Sequence, residues 1–309
     1  MIKVKKYILL LLKGIGMGAA DVVPGVSGGT IALITGIYSE LVYSIKSIDI
    51  EAIKLLIAFR FRKFWEKING SFLLFIFGGI LISIFSLARI LKLLLSGYPI
   101  YVWSFFFGLI IASAVLVVRS VREWRFYDYM ALLAGIAMMF VITQFSPAQT
   151  TEAYWFIFIA GAIAISAMIL PGISGAFILL IMGKYQFILA AVSNLDLPVI
   201  LVFGLGVISG LAGFSRVLSY LLNRYHRITI SILAGFIIGS LNKIWPWKEV
   251  ISERLNSHGE MVPLIQKNIL PNNYYDITGS DPHIFAAFLL MISAILLVMI
   301  LDRIGKKAS

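Results

Sequence analysis

The sequence predicts an all-α integral membrane protein made of two inverted repeats. Each repeat is a re-entrant helical hairpin plus two transmembrane helices, with a linker span between the repeats and a closing span after them. Three observations predict this. Apolar residues are 60% of the 309-residue chain and the mean hydropathy is +0.97, well above a soluble domain, where the apolar share is about 45–50%. A helix-breaking pattern, Pro-Gly-x-Ser-Gly, occurs twice, in Asp21-Val-Val-Pro-Gly-Val-Ser-Gly-Gly-Thr30 and Met168-Ile-Leu-Pro-Gly-Ile-Ser-Gly-Ala-Phe177. The basic residues also collect on one alternate set of connecting segments.

Repeat one covers 7–120. Its first 38 residues, 7–44, are mostly apolar and broken at Pro24. One span needs ~20 residues, so the run is too long for one crossing and short for two. It reads as two half-length helices forming a re-entrant hairpin. Residues 45–67 carry six lysines and arginines among Ile50, Ile53, Leu56, Ile57 and Phe64, the pattern of an amphipathic helix on the membrane surface. Full spans follow at 71–95 and 99–118, and a linker span at 129–145.

Repeat two, 154–245, rewrites the plan as a hairpin at 154–192 and spans at 197–222 and 228–244. Pro24, Gly25, Ser27 and Gly28 fall on Pro171, Gly172, Ser174 and Gly175 at an offset of 147. Phe107-Gly-Leu-Ile-Ile-Ala-Ser113 falls on Ala234-Gly-Phe-Ile-Ile-Gly-Ser240 at 127. The twenty-residue difference is the basic segment at 45–67. A polar loop at 246–282, to which no structure is assigned, and a closing span at 284–301 follow.

Orientation follows from charge. With both termini in the cytoplasm, the inner segments hold eighteen lysines and arginines and the outer loops only Lys248, Arg254 and Lys267, the bias expected of cytoplasmic loops. Repeat one then starts inside and repeat two outside, so the halves are inverted. The formal charge of +11 sets topology and does not mark a nucleic-acid surface, because the basic residues lie between apolar runs. The absence of cysteine and the scatter of His226, His258 and His283 exclude a disulfide framework, thiolate chemistry and a histidine metal cluster. No cofactor or metal is expected.

A proline–glycine break inside an apolar run is tolerated only where the freed backbone faces protein or a wet cavity. A matching pair, one per half, points to a transporter's binding site. A restarted helix offers free N–H groups and the positive end of its dipole, which suits an anion. The candidate phosphate-binding residues are therefore Gly25, Ser27, Gly28, Gly29 and Thr30 in the first half and Gly172, Ser174 and Gly175 in the second. Arg89 and Arg216 recur at matched positions inside spans. An intramembrane arginine is costly, so it either meets an anion or snorkels to a headgroup. Asp21, opposite Met168, breaks the symmetry. It reads as a salt-bridge partner, a structural aspartate or the ion-coupling carboxylate. Lys184 reads as a snorkelling residue, and the six tryptophans as an interfacial belt.

Gly18-Ala-Ala-Asp-Val-Val-Pro-Gly-Val-Ser-Gly-Gly-Thr-Ile-Ala32 and Ala164-Ile-Ser-Ala-Met-Ile-Leu-Pro-Gly-Ile-Ser-Gly-Ala-Phe-Ile-Leu-Leu180 resemble the two signature stretches of the PopT polyprenyl-phosphate translocases. The resemblance covers about residues 10–302. It implies a multi-pass protein of the bacterial cytoplasmic membrane that returns undecaprenyl phosphate from the outer to the inner leaflet. The partners it implies are the polyprenyl-phosphate lipid, a coupling proton or sodium ion and membrane lipids, with no nucleic acid; a homo-oligomer stays open. Ala176 departs from the serine common in the family at that place. Two other classes share parts of the pattern. Undecaprenyl-pyrophosphate phosphatases carry Pro-Gly-Val-Ser but add an arginine and a glutamate-rich stretch that this chain lacks. Anion channels also build filters from helix starts.

Overall fold

The computed structural model describes residues 2–22, 26–121, 123–145, 150–255 and 261–308, and within α6 (Gly70–Gly97) it leaves the side chains of Leu87, Ala88, Arg89, Lys92 and Ser96 undescribed. The chain is mostly helical. Repeat one begins with α1 (Ile2–Val22), α2 (Gly28–Ile34) and α3 (Tyr38–Lys46), followed by α4 (Ile50–Ile57), α5 (Phe61–Lys67), α6 and α7 (Pro99–Ser120). Helix α8 (Phe126–Gln144) links to α9 (Tyr154–Ile169), α10 (Gly175–Ile181), α11 (Tyr185–Ser193), α12 (Leu197–Arg224) and α13 (His226–Ser240). Strands β1 (Lys248–Leu255) and β2 (Met261–Asn268), helix α14 (Tyr274–Thr278) and α15 (Ile284–Ala308) close the chain. By length and hydropathy α7, α8 and α12 can each cross a membrane, and up to five spans result if bent helix pairs are counted.

Each hairpin differs from the expected two half-helices, because the returning limb is itself split in two. In the first, Gly36 takes φ +72°, its N–H reaches Leu33 O and that of Ile37 reaches Ala32 O. In the second, Gly183 takes φ +66°, with Gly183 N–H on Leu180 O and Lys184 N–H on Leu179 O. This is the same left-handed glycine stop at the same offset of 147. It ends α2 and α10 after two turns and turns the chain into α3 and α11; α10 and α11 meet at 112°.

Glycines set how the long helices pack. A Cβ on Gly18 would stand 2.7 Å from Ile80 O, and one on Gly14 would stand 3.1 Å from Gly79 Cα. Such spacing lets backbones touch without a side chain between them. Numbering rises together along α1 and α6, so the two run parallel. Gly161 lies against Phe203 and Val207, and Gly210 against Ala162, so α9 and α12 also run parallel. In each parallel pair the chain between the two helices returns to the end of the bundle where the first helix began. The later helices pair in a matching way: α7 packs on the closing helix α15 and α13 on the linker helix α8. The core, with Ile76, Ile110, Ile169, Ile173, Leu233 and Ile237 buried at its centre, is shared by both halves.

Among the described residues the packing departs from symmetry where α3 meets α12. Helix α3 lies along the last turns of α12, where Tyr43 OH donates to Asn223 Oδ1 at 2.5 Å and Lys46 Nζ to Ser219 Oγ at 3.1 Å. Leu218 and Leu222 are buried there. Among the described residues α11 makes no comparable packing on α6, and Phe85, Ile90 and Leu93 on that stretch are exposed.

Two segments correct the sequence reading. Residues 45–67 are not one amphipathic helix: Phe59 takes φ +53° and separates α4 from α5. Ile50, Ile57, Phe59 and Phe61 are exposed on this pair, beside Lys54, Arg60 and Lys63. The 246–282 loop, assigned no structure from the sequence, contains the antiparallel pair β1–β2 and α14, so the fold is not purely helical. Trp245 Nε1 donates to Ile269 O and Trp247 Nε1 to Pro282 O, both at 2.8 Å. Trp247 is buried, so these two tryptophans pin the segment to the helix ends and do not form a belt.

Candidate functional site at the meeting of the two breaks

The two breaks touch one another. Ser27 Oγ donates to Leu170 O at 3.2 Å, and Gly172 N–H donates to Thr30 Oγ1 at 2.9 Å. A Cβ on Gly29 would stand 2.6 Å from Ile169 O, so that contact needs glycine. Gly172 takes φ +83°, and its missing Cβ would lie 2.7 Å from Phe236 O in α13. Ser27, Gly28, Gly29, Thr30, Gly172, Ser174 and Gly175 are all buried within this contact. Pro24 and Gly25 lie outside the described residues.

The two helix starts are capped differently. Ser27 is the N-cap of α2 and accepts from Gly29 N–H at 3.1 Å, while Asp21 Oδ1 accepts from Gly28 N–H at 2.7 Å. A Cβ on Gly28 would stand 2.5 Å from Asp21 Oδ2, so only glycine lets the carboxylate reach the backbone. In the second half Met168 stands where Asp21 does, and a Cβ on Gly175 would sit 3.3 Å from its Cβ. Ser174 makes no side-chain cap bond to α10. The first helix start thus holds the protein's own anion, and the second, among the described residues, holds no side-chain acceptor.

Helix register places both arginines level with the breaks: extending α1–α6 brings Arg89 opposite the first, and extending α9–α12 brings Arg216 opposite the second. The Arg216 guanidinium is exposed and donates to Ala212 O on its own helix at 2.6 Å. Among the described residues it makes no bond to either break. The side chain of Arg89 lies outside the described residues.

Other cations serve the hairpins in ways the sequence did not signal. Lys13 Nζ donates to Thr35 O at the end of α2, at 2.7 Å. Lys184, read as a snorkelling residue, is buried between Phe156 and Phe187 and donates to Thr150 O at 3.0 Å. Each short helix therefore has an ammonium near its C-terminal end, where the dipole favours it. Among the described residues no group of three or more His, Asp or Glu could hold a metal ion.

Residues 17–262, which include both breaks, match the family model described as undecaprenyl phosphate translocase-like. The chain belongs to that family. It is 45% identical over 305 residues to a polyprenyl-phosphate transporter of Vibrio cholerae, covering 99% of each chain. It is also 36% identical over 254 residues to a polyprenyl-phosphate transporter of Staphylococcus aureus, covering 76% of this chain and 85% of the relative. No solved structure matches it. Membership makes the chain a bacterial multi-pass membrane protein of a transporter family, and the touching breaks join its two halves through buried polar contacts.

Proposed function

We propose that the protein is a flippase returning undecaprenyl phosphate from the outer to the inner leaflet of the cytoplasmic membrane, by ion-coupled alternating access between two inverted halves. The observation that carries this is the mutual contact of two glycine-tight helix breaks in the bundle core, in a chain so similar to polyprenyl-phosphate transporters. Neither half can hold the contact alone, so relative movement of the halves must remake it. Gly25, Ser27, Gly28, Gly29 and Thr30 present one set of donors to the phosphate, and Gly172, Ser174 and Gly175 the other. Arg89 and Arg216 swing in from the neighbouring spans, while the isoprenoid tail stays in lipid.

Asp21 gives the coupling its chemistry. A carboxylate and a phosphate compete for the same N–H groups at the start of α2, so the lipid head binds as Asp21 lets go of Gly28. The released carboxylate takes a proton or sodium ion and re-docks when the head leaves. The exposed Phe85, Ile90 and Leu93 of α6 and the covered last turns of α12 support an outward-open state, with α3 closing the cytoplasmic end. Both termini are placed in the cytoplasm.

The test is leaflet-specific movement of undecaprenyl phosphate in vesicles holding only this protein. Movement that depends on the protein supports the reading. If the purified protein instead releases phosphate from the pyrophosphate lipid, the chain is a hydrolase and the reading falls. Its hairpins carry no glutamate pair for that chemistry.

A further inference from the structure

Beyond the breaks, two lysines stand together at the end of the bundle that carries the β1–β2 pair. Lys248 Nζ lies 4.2 Å from the centre of the Trp103 ring and donates to Lys243 O at 2.7 Å. Lys243 Nζ lies 4.6 Å from the centre of the Phe177 ring, on the first turn of α10. Neither ammonium has a carboxylate partner among the described residues. Trp245 and Trp247, fixed by their bonds to Ile269 O and Pro282 O, hold the chain between the two lysines in place.

A partly buried cation without a counter-ion is costly, and two side by side repel. Aromatic faces offset some of that cost but use none of the N–H donors. An ammonium has three; Lys248 spends one on the Lys243 carbonyl, and Lys243 spends none on a described residue. Both Lys243 and the second break contact α13 or its end. Gly172 meets Phe236 O, and Lys243 follows Phe236 by about two helical turns, roughly 10 Å. At the offset of 127 the equivalent positions in the first half are Leu116 and Val121, so neither lysine is repeated at its matched position.

From this placement we infer that Lys243 and Lys248 form a capture site for a phosphate monoester at the outer mouth of the second hairpin, from which the head passes to the breaks. The inference rests on the proposed transport and adds two binding residues and a direction to it. A lysine pair built on the second hairpin alone loads the carrier from the side that hairpin faces.

The test uses the full chain in nanodiscs, titrated with farnesyl phosphate and, separately, with inorganic phosphate, for wild type, K243Q, K248Q, K243R and K248R, with thermal unfolding measured alongside. Farnesyl phosphate should bind the wild type, at least tenfold more weakly in each glutamine variant and within a few-fold of wild type in the arginine variants. Inorganic phosphate should compete at higher concentration. Unchanged affinity in natively folded glutamine variants overturns the site, yet leaves the transport reading standing if wild-type vesicles still move the lipid. Binding of inorganic phosphate through the lysines without any farnesyl phosphate binding keeps the anion site and removes the lipid from it. No binding of either probe by the wild type overturns the site. If the glutamine variants unfold, the arginine pair decides: loss of binding in both, at native unfolding temperatures, refutes it.

Discussion

At Gly28 the absence of a single carbon lets Asp21 act as a built-in anion. The contact is satisfied in the resting protein, so its removal has two separable effects. Asp21→Asn keeps an acceptor for the Gly28 N–H but removes the charge proposed to compete with phosphate and to take up the ion. We expect an inserted, folded protein whose lipid transport no longer varies with pH; full pH dependence in this variant would show that the coupling ion travels elsewhere. Gly172→Ala tests the opposite half. It places a β-carbon at φ +83° and 2.7 Å from Phe236 O, a backbone that cannot give way cheaply. A loss of roughly 1–3 kcal/mol is expected for a side chain forced into such a conformation, read by denaturant unfolding. Much of this was legible in the sequence, since proline and glycine at matched places inside apolar runs break a helix wherever they stand. The capping by Asp21 was not: a carboxylate seven residues before its acceptor meets it only after the chain has folded back.

At the scale of elements, α6, α7, α8 and α12 fall on the apolar runs that hydropathy picks out, because a span must be long and apolar whatever it packs against, whereas α1, at 21 residues, is longer than the half-length limb expected there. The split returning limbs and the β1–β2 pair escaped that reading. The first depends on left-handed turns at Gly36 and Gly183. The second depends on two indole N–H bonds that anchor an otherwise polar segment. Lys248, at the start of β1, carries a consequence for stability. Burial, and after it the charge of Lys243, lowers its pKa from 10.5 to about 7. Alternation along the strand turns Glu249 to the other face, where its register partner is Lys267. Between pH 7 and 10.5 the unfolded chain therefore binds a proton that the folded chain does not, and folding becomes more favourable as pH rises. Chemical denaturation from pH 7 to 10 should show this gain in the wild type and a flatter profile in Lys248→Met. Binding of a phosphate monoester there should run the other way, weakening as the ammonium is lost.

At the scale of the whole molecule, inversion and alternating access are separate claims with separate tests. The chain contains no cysteine, so single introduced cysteines report sidedness without background. Asn272→Cys should react with an impermeant maleimide on intact cells, and Lys54→Cys only after permeabilisation; the same accessibility for both would end the inverted arrangement. The proposed access turns on a packing difference between the halves. Helix α3 is docked on the end of α12 through Tyr43 and Asn223, whereas the matching stretch of α6 is left uncovered by α11. If exchanging these two contacts is the transport movement, holding the docked one must hold the protein open at the outer end alone. A disulfide between Tyr43→Cys and Asn223→Cys should abolish leaflet-to-leaflet movement of undecaprenyl phosphate and spare farnesyl phosphate binding, and reduction should restore transport. Transport that persists in the crosslinked protein would mean that α3 and α12 move as one body, and that the halves open elsewhere.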